Sequence, residues 1–459
     1  MLKRLSLLDP ISLGVAILLA FIPLYLKFPL VNVKGTYVAI RLEDLLVAVV
    51  VFVWFIHQLK TKFSVFNDRL SWLFILYWGV GGASLISALL LTKNVVPQIA
   101  VLHFLRRIEY MSLFFVALTS ITSFKKIKLY QFSLLLTVLG VIIYGVGQKY
   151  LYWPVVSTMN REFSKGTLLR LNEGARVSST FAGHYDLAAY LVLITSFLLA
   201  LFFAYKNQIT KKIIFLLYLG CLYLLVLTAS RISFAAYLFS ITFLLVWIKK
   251  HWWIPPILAV SIICMLLSTQ FSQRYAATLR ISLTAFSGSL PRANVSPQIT
   301  PTSTPTPTPT PPVATSSATI GDEDLGIQYS NQIRFNVEWP RALRALAKNP
   351  FLGTGYSSVT LATDNDYLRA LAETGILGLL SFSLIFIEIL RRIAINFRDT
   401  KISTDRKLIV AGIAAGALGF FINAAFIDVF EASKVAFIFW ILMGILVGIL
   451  NLSKQKQYE

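Results

Sequence analysis

The sequence has few charged side chains, and this shortage argues against an ordinary water-soluble protein. Charged residues make up 14% of its 459 residues and hydrophobic residues make up 56%, whereas soluble domains carry about 25% charged residues. The mean hydropathy is +0.71. The chain has only two cysteines, Cys221 and Cys264, and both lie in hydrophobic runs, so no disulfide framework is predicted. This composition indicates a protein that is surrounded mostly by lipid.

Acidic residues are also scarce, with 21 Asp and Glu against 42 Lys and Arg and a net charge of +21. Such an excess is typical of nucleic-acid-binding proteins when it forms a patch. Here the basic residues instead occur in small clusters between hydrophobic runs, in segments 3–4, 60–69, 125–128, 206–212, 249–250, 391–407 and 454–456. Short basic loops stay on the cytoplasmic side of a membrane. We therefore expect a multi-pass protein of the cytoplasmic (inner or plasma) membrane with both termini cytoplasmic, in contact with membrane lipids and with no nucleic-acid partner.

Hydrophobic runs recur along the chain, and each is long enough to cross about 30 Å of hydrocarbon. They predict an all-α integral membrane protein of about twelve transmembrane helices, near residues 11–27, 43–59, 71–92, 108–123, 129–150, 187–204, 212–228, 232–248, 252–268, 371–391, 407–427 and 434–451. The fourth run is the weakest, because Arg106, Arg107 and Glu109 lie at its start. All basic clusters fall on one side only if all twelve runs span the membrane, which supports that number.

The predicted spans divide the chain into three parts. Residues 1–268 hold helices 1–9 with an outward loop at 150–186, residues 269–370 form a large outward loop, and residues 371–459 hold helices 10–12. The Thr/Pro-rich segment 287–319 cannot bury a core and is predicted to be a disordered spacer, with a glycosylated tract as the alternative. The apolar spacing that begins at Phe335 predicts an amphipathic helix over 331–347, lying at the outer membrane surface.

The predicted outward segments contain a set of arginines and one carboxylate that precedes a helix. These residues are Arg176, Arg231, Arg274, Arg280, Arg334, Arg341 and Asp364. Guanidinium groups bind phosphate oxygens in a bidentate manner and stabilise charge on a departing diphosphate. A carboxylate accepts a proton from an attacking hydroxyl. The set therefore suits a substrate with a lipid-linked diphosphate leaving group, and the pattern predicts no metal site.

Several of these residues also have simpler interpretations. Contact with lipid headgroups is the default explanation of an arginine at a membrane edge such as Arg176, and a polar role at a helix entrance explains His184. Asp364 has the position of an N-cap for the tenth helix, and Gly353-Thr354-Gly355 is typical of a turn as well as of a phosphate loop. Arg231 is harder to explain in this way, because it lies in a tight turn between two spans, where an arginine is costly without a polar environment.

Four segments together resemble a known family. They are the block from Arg176 to Tyr190, the Leu-Thr-Ala-Ser-Arg sequence of 227–231, Arg334 with the later Asn-Pro-Phe-Leu-Gly-Thr-Gly of 349–355, and Asp364-Asn365 followed by Gly375. In this order, and with this membrane layout, the sequence resembles the O-antigen ligase and polymerase family of bacterial envelope glycan transferases.

The resemblance implies transfer of a glycan from an undecaprenyl or other polyprenyl diphosphate carrier to a hydroxyl of a glycan or lipid acceptor. It implies that the reaction takes place on the outer face of the membrane without a metal or other cofactor. The implied catalytic residues are Asp364, Arg334 and Arg176, and the implied substrate-binding residues are Arg231, Arg341, His184, Asn365 and Tyr356.

Position 364 departs from the family pattern. The ligases of the family have a histidine there that is proposed to activate the acceptor, whereas this chain has an aspartate. A carboxylate is the weaker base unless burial raises its pKa, so the choice between ligase and polymerase stays open. A multi-span transporter or flippase of lipid-linked saccharides is the alternative function. Transporters often show internal repeats and charges near the membrane centre, and neither is evident in this sequence.

Overall fold

The structure is a computed structural model of the chain. It describes residues 9–32, 39–156, 166–172, 175–266, 268, 332–359, 363–398 and 403–455. The predicted spacer 287–319 and two arginines of the outward set, Arg274 and Arg280, lie outside these residues.

The described residues are almost entirely helical. In chain order the helices are α1 (Pro10–Leu24), α2 (Leu42–Lys60), α3 (Arg69–Ser87), α4 (Pro97–Ser120), α5 (Phe124–Tyr150), α6 (His184–Ala204), α7 (Gln208–Leu227), α8 (Arg231–Trp247), α9 (Ile254–Leu266), α10 (Trp339–Lys348), α11 (Asp366–Arg398), α12 (Thr404–Ala424) and α13 (Ser433–Gln455). A π-helical segment, Ala88–Thr92, extends α3.

Helices α6 and α13 form the centre of the bundle, since nearly all of their side chains are buried. Helix α12 packs along α6, and Gly416 allows the two backbones to approach, because a Cβ at this position would lie 2.4 Å from the carbonyl oxygen of Leu193. Close packing through small residues is typical of helices in membranes. On its other side, α13 packs along α4.

Each of the twelve predicted spans overlaps one of these helices. Eight helices of the described residues are long and apolar enough to cross a membrane, whereas α1, α8 and α9 are apolar but shorter. Helix α4 belongs to neither group, and it begins at Pro97 rather than near the predicted residue 108. The charged residues near its start form contacts within the protein, so α4 extends further than its hydrophobic run. The number of spans stays a prediction.

The sequence did not predict two small antiparallel strand pairs. Strand β1 (Pro29–Asn32) pairs with β2 (Ala39–Arg41) after α1, and β3 (Val155–Val156) pairs with β4 (Leu168–Leu169) after α5. Strands this short leave no recognisable alternation in a sequence.

One end of the bundle, here called the site end, is where α2, α6, α11 and α13 begin. The hydroxyl of Ser433 on α13 donates to Glu43 on α2, and the hydroxyl of Ser84 on α3 donates to the backbone carbonyl of Glu373 on α11. The amine of Lys434 donates to the carbonyl of Thr180, just before α6. These contacts bring the connecting segments of sequence-distant helices together.

Candidate active site

Arg334 and Asp364 form an ion pair at the site end. The guanidinium donates from Nε and Nη2 to the same oxygen of Asp364, Oδ2, at 2.9 and 2.8 Å. Arg334 is buried and begins a π-helical turn, Arg334–Glu338, that leads directly into α10. Such turns are frequent at functional sites. The turn and α10 together correspond to the amphipathic helix predicted at 331–347.

Asp428 fixes the backbone on both sides of Asp364. Its Oδ2 accepts the N–H of Thr363 at 2.9 Å, and its Oδ1 accepts the N–H of Asn365 at 3.2 Å. Arg369 also donates to Asp428, from Nη2 to Oδ2 at 2.8 Å. Asp364 itself has a φ of +48°, a left-handed conformation that aspartate adopts more readily than most residues. Asp428 therefore holds the turn that carries the Asp364 carboxylate.

Asn365 is the N-cap of α11. Its side-chain oxygen Oδ1 accepts the backbone N–H of Leu368 at 3.0 Å, and its backbone carbonyl accepts the N–H of Arg369. This pattern satisfies N–H groups that have no partner inside the first turn of a helix. The cap interpretation of Asp364 is therefore wrong by one residue, because the Asp364 carboxylate turns to Arg334 instead.

The carboxylates near Arg334 lie in an environment that favours their protonated forms. Burial raises the pKa of Asp364, and the opposing effect of the Arg334 guanidinium is the smaller one. Burial, with the nearby Asp364 and Asp428 charges, raises the pKa of Glu338 to about 7. A raised pKa makes the ionised carboxylate a stronger base. Burial thus makes the carboxylate at position 364 a better proton acceptor than an exposed aspartate.

The Gly353-Thr354-Gly355 turn docks onto a kink in α11. The N–H groups of Thr354 and Gly355 donate to two backbone carbonyls of α11 at 2.8 and 2.9 Å. The kink is at Gly375, which has a φ of +68°, and a Cβ there would lie 2.3 Å from the carbonyl oxygen of Phe351. Glycine is needed where the backbones meet this closely. The turn's N–H groups are thus used within the fold, as the simpler interpretation of this sequence predicts.

Tyr356 lies behind this turn rather than on an open surface. It is 2% exposed, and its hydroxyl hydrogen-bonds to Tyr77 of α3. A cavity of about 30 Å³ lies between Tyr356, Arg107 and Phe430, far smaller than the roughly 300–1,000 Å³ of typical ligand pockets. In this conformation the space beside Tyr356 does not admit a sugar, and the predicted substrate contact of Tyr356 stays a prediction.

Arg107 and Glu431 form a partly buried ion pair beneath the same region. Arg107 also donates from Nη1 to the carbonyl of Phe430 at 3.0 Å. Burial alone would raise the pKa of Glu431, but the guanidinium groups of Arg107 and Arg369 lower it to about 2. This pair anchors the loop that carries Asp428 to helix α4.

Arg176 and His184 form a second group of predicted site residues. Arg176 Nη1 lies 2.6 Å from His184 Nε2, and the guanidinium lies over the ring of Tyr185 at 6.0 Å. The next residue, Val177, donates its N–H to the carbonyl of Leu227 at 3.2 Å. This contact ties the Arg176 segment to the tight turn that ends at Arg231, the first residue of α8.

The two groups are connected through α12. Ser233, in the first turn of α8, donates to Asn423 at 2.9 Å, and the hydroxyl of Tyr367 on α11 donates to the carbonyl of Phe421 at 2.8 Å.

Arg341 lies on α10, and its Nη1 is buried without a hydrogen-bond partner among the described residues. All eight predicted site residues thus lie at the site end, and direct pairing joins Arg334 with Asp364 and Arg176 with His184.

Sequence reasoning did not identify Asp428, Arg369 and Glu338 as parts of this site. Asp428 and Glu431 occupy the short predicted outward segment 428–433. Two carboxylates in a six-residue connection between hydrophobic spans are the sequence feature from which this loop could have been identified. Glu338 lies one turn after Arg334 on the predicted amphipathic helix, on the stripe that includes Arg341.

The sequence model of the O-Antigen ligase family matches residues 214–383 of the chain. This segment carries an O-antigen ligase domain. Among curated proteins, none matches the chain. The O-antigen ligase domain contains six of the predicted site residues, Arg231, Arg334, Arg341, Tyr356, Asp364 and Asn365. Arg176, His184 and Asp428 come from the flanking parts of the chain, so the candidate site is completed by residues on both sides of the domain.

Proposed function

We propose that this protein transfers a glycan from a polyprenyl diphosphate carrier to an acceptor hydroxyl on the outer face of the cytoplasmic membrane, as a polymerase or ligase of cell-surface polysaccharide. The observation that carries the proposal is the contact between Arg334 and Asp364 inside an O-antigen ligase domain. It combines a cation suited to a diphosphate with a carboxylate suited to a proton. The helical bundle supplies the membrane setting that such a carrier requires.

Arg334 is proposed to hold the diphosphate while it stays paired with Asp364. A guanidinium has five N–H donors in a planar fork. Asp364 occupies the edge formed by Nε and Nη2, which leaves the Nη1 side for phosphate oxygens. Arg176 and Arg231 are proposed to bind the diphosphate from the other side, with His184, Asn365, Arg341 and Tyr356 near the substrate.

The reaction needs no covalent intermediate with the protein. The acceptor oxygen forms a bond to the anomeric carbon, the bond from that carbon to the phosphate oxygen breaks, and the polyprenyl diphosphate leaves with the electron pair. A carboxylate of the group that contains Asp364 and Glu338 accepts the hydroxyl proton. The arginines offset the charge that develops on the diphosphate, and fixed cationic donors of this kind contribute several kcal/mol in a buried site, about 3–4 for one donor.

Glycan assembly in cells that carry single variants tests the proposal. Asp364→Asn and Arg334→Ala are expected to abolish assembly of the surface glycan while the amount of protein inserted in the membrane is unchanged. Asp405→Asn, which changes an exposed carboxylate in the first turn of α12, is the matched control. Normal glycan in both site variants would overturn the assignment of the site.

A further inference from the structure

Glu338 faces the same group of charges as Asp364. Arg334 and Arg341 approach it from its own helical segment, Asp364 from the turn before α11, and Asp428 from the loop before α13. Its Oε2 is buried and has no hydrogen-bond partner among the described residues. A buried carboxylate oxygen without a partner is costly to the fold, so its presence calls for a functional explanation.

Glu338 and Asp364 differ in how their oxygens are used. Oδ2 of Asp364 accepts two N–H groups from Arg334, and a carboxylate that accepts charged donors is a weaker base. Oε2 of Glu338 accepts no hydrogen bond from the part of the chain that the structure describes. Burial with the charges of Asp364 and Asp428 raises the pKa of Glu338 to about 7. A base is most effective when its pKa lies near the working pH.

Two donors of the same helical segment also lack partners. Nε1 of Trp339 and Nη1 of Arg341 are buried without hydrogen-bond partners in the described part of the chain. A sugar hydroxyl donates one hydrogen bond and accepts others. A hydroxyl that gives its hydrogen to Glu338 and receives bonds from these donors satisfies all three groups.

We propose that Glu338 takes the proton from the acceptor hydroxyl, while Asp364 holds Arg334 in place beside it. The acceptor is a sugar hydroxyl bound at the first turn of α10 by Glu338, Trp339 and Arg341. As the O–H bond breaks, its proton passes to Oε2 of Glu338 and its electron pair forms the new bond to the anomeric carbon. The polyprenyl diphosphate leaves, and Glu338 then releases the proton to water. This inference rests on the proposed function.

The pH dependence of transfer tests this assignment. The full-length protein is reconstituted in liposomes with undecaprenyl diphosphate-linked repeat units, extracted from host membranes, as donor and acceptor. The wild-type rate is expected to fall as the pH drops through about 7, because Glu338 becomes protonated. Glu338→Gln is expected to lower the rate by at least about 100-fold, the usual contribution of a general base, and to lose this pH dependence.

Two further variants separate proton transfer from structure. Glu338→Asp is expected to react more slowly but with the same fall in rate at low pH. Asp405→Asn is expected to behave as wild type, because Asp405 is exposed at the start of α12, at the end of the bundle opposite the site. Equal inactivity of Glu338→Gln and Glu338→Asp at every pH would indicate a structural role and overturn the proposal.

The result also distinguishes this inference from the proposed function. If Glu338→Gln transfers at the wild-type rate with an unchanged acid limb while Asp364→Asn is inactive, Glu338 is not the proton acceptor but the proposed function stands. If Glu338→Gln, Asp364→Asn and Arg334→Ala all transfer at the wild-type rate, the proposed function and this inference both fail.

Discussion

Asp428 binds the peptide groups on both sides of Asp364, with one carboxylate oxygen for each N–H. The two aspartates lie in different connecting loops, one before α11 and one before α13. Their relationship is thus a tertiary contact that holds a left-handed residue in place. A residue in such a conformation persists only when the structure around it imposes that conformation.

Replacement of Asp428 by Asn tests whether this contact positions Asp364. The amide keeps one acceptor oxygen but places an NH₂ donor where the second carboxylate oxygen accepted a hydrogen bond. Because small displacements in a catalytic site reduce rates by about 100-fold, we expect kcat to fall by that order while the KM for the donor changes little. A purely structural role predicts instead a loss of folded protein with normal kcat in the remainder, which would contradict the positioning role.

Gly375→Ala is expected to separate the Gly353-Thr354-Gly355 turn from α11. The new Cβ would lie 2.3 Å from a backbone oxygen and would impose a positive φ on alanine, a strain of about 1–3 kcal/mol before the clash is counted. We expect a lower thermal midpoint in detergent and loss of transfer. Gly79→Ala on α3 is the control, since a Cβ at this position would have no atom within 4 Å apart from its own stretch of helix backbone, and alanine favours a helix by about 0.5–1 kcal/mol. Equal effects of the two variants would contradict the close contact between this turn and the kink in α11.

Arg334→Lys separates charge from geometry at the diphosphate. Lysine keeps the positive charge but lacks the planar fork that allows one side to pair with Asp364 and the other with phosphate. We expect Arg334→Lys to stay far below wild type and close to Arg334→Ala in single-turnover transfer. Activity near the wild-type level in the lysine variant would mean that a point charge is sufficient.

The ion pair of Arg107 and Glu431 predicts a pH dependence of stability. The folded pKa of Glu431 is about 2, below the unfolded value of about 4.3. The stabilisation is therefore present above about pH 4.3 and is lost as the pH falls toward 2. Glu431→Gln leaves the partly buried Arg107 guanidinium without its carboxylate. We expect the free energy of unfolding in detergent at neutral pH to fall by up to about 3–5 kcal/mol, the cost of removing one partner of a fully buried pair.

The more exposed pair of Arg391 and Glu388, with the arginine 51% exposed, is the comparison for that measurement. Arg391→Gln is expected to change stability much less than Glu431→Gln, because solvent screens such pairs. A Glu431→Gln protein that is as stable as Arg391→Gln would show that the Arg107–Glu431 pair does not anchor the Asp428 loop.

Local sequence patterns predicted the helices and the polar residues at their ends. Hydrophobic runs long enough to cross a membrane gave the positions of all the helices from α1 to α9 and from α11 to α13, and the spacing around Phe335 indicated the segment that leads into α10. Arg334 and Asp364 were both chosen as site residues because they lie in the same predicted outward loop and match segments of the family that the sequence resembles. The helix predictions rest on composition and periodicity over short stretches.

The contacts that build the site depend on residues far apart in the chain, and no local pattern contains them. Asp428 meets the turn of Asp364 across α11 and α12, and Asn365 rather than Asp364 caps α11. The start of α4 at Pro97 was missed because its charged residues look unlike a span until their partners, such as Glu431, are known. The left-handed φ of Asp364 likewise comes from tertiary contacts.

Transfer by the purified protein measures the central claim most directly. Wild-type protein in liposomes, supplied with a polyprenyl diphosphate donor whose glycan is labelled, should move the label to an acceptor and release one polyprenyl diphosphate for each glycan transferred. Asp364→Asn and Arg334→Ala should do neither, although both insert normally. Movement of the intact lipid-linked donor across the membrane without release of the diphosphate, or transfer by both variants at the wild-type rate, would contradict the account.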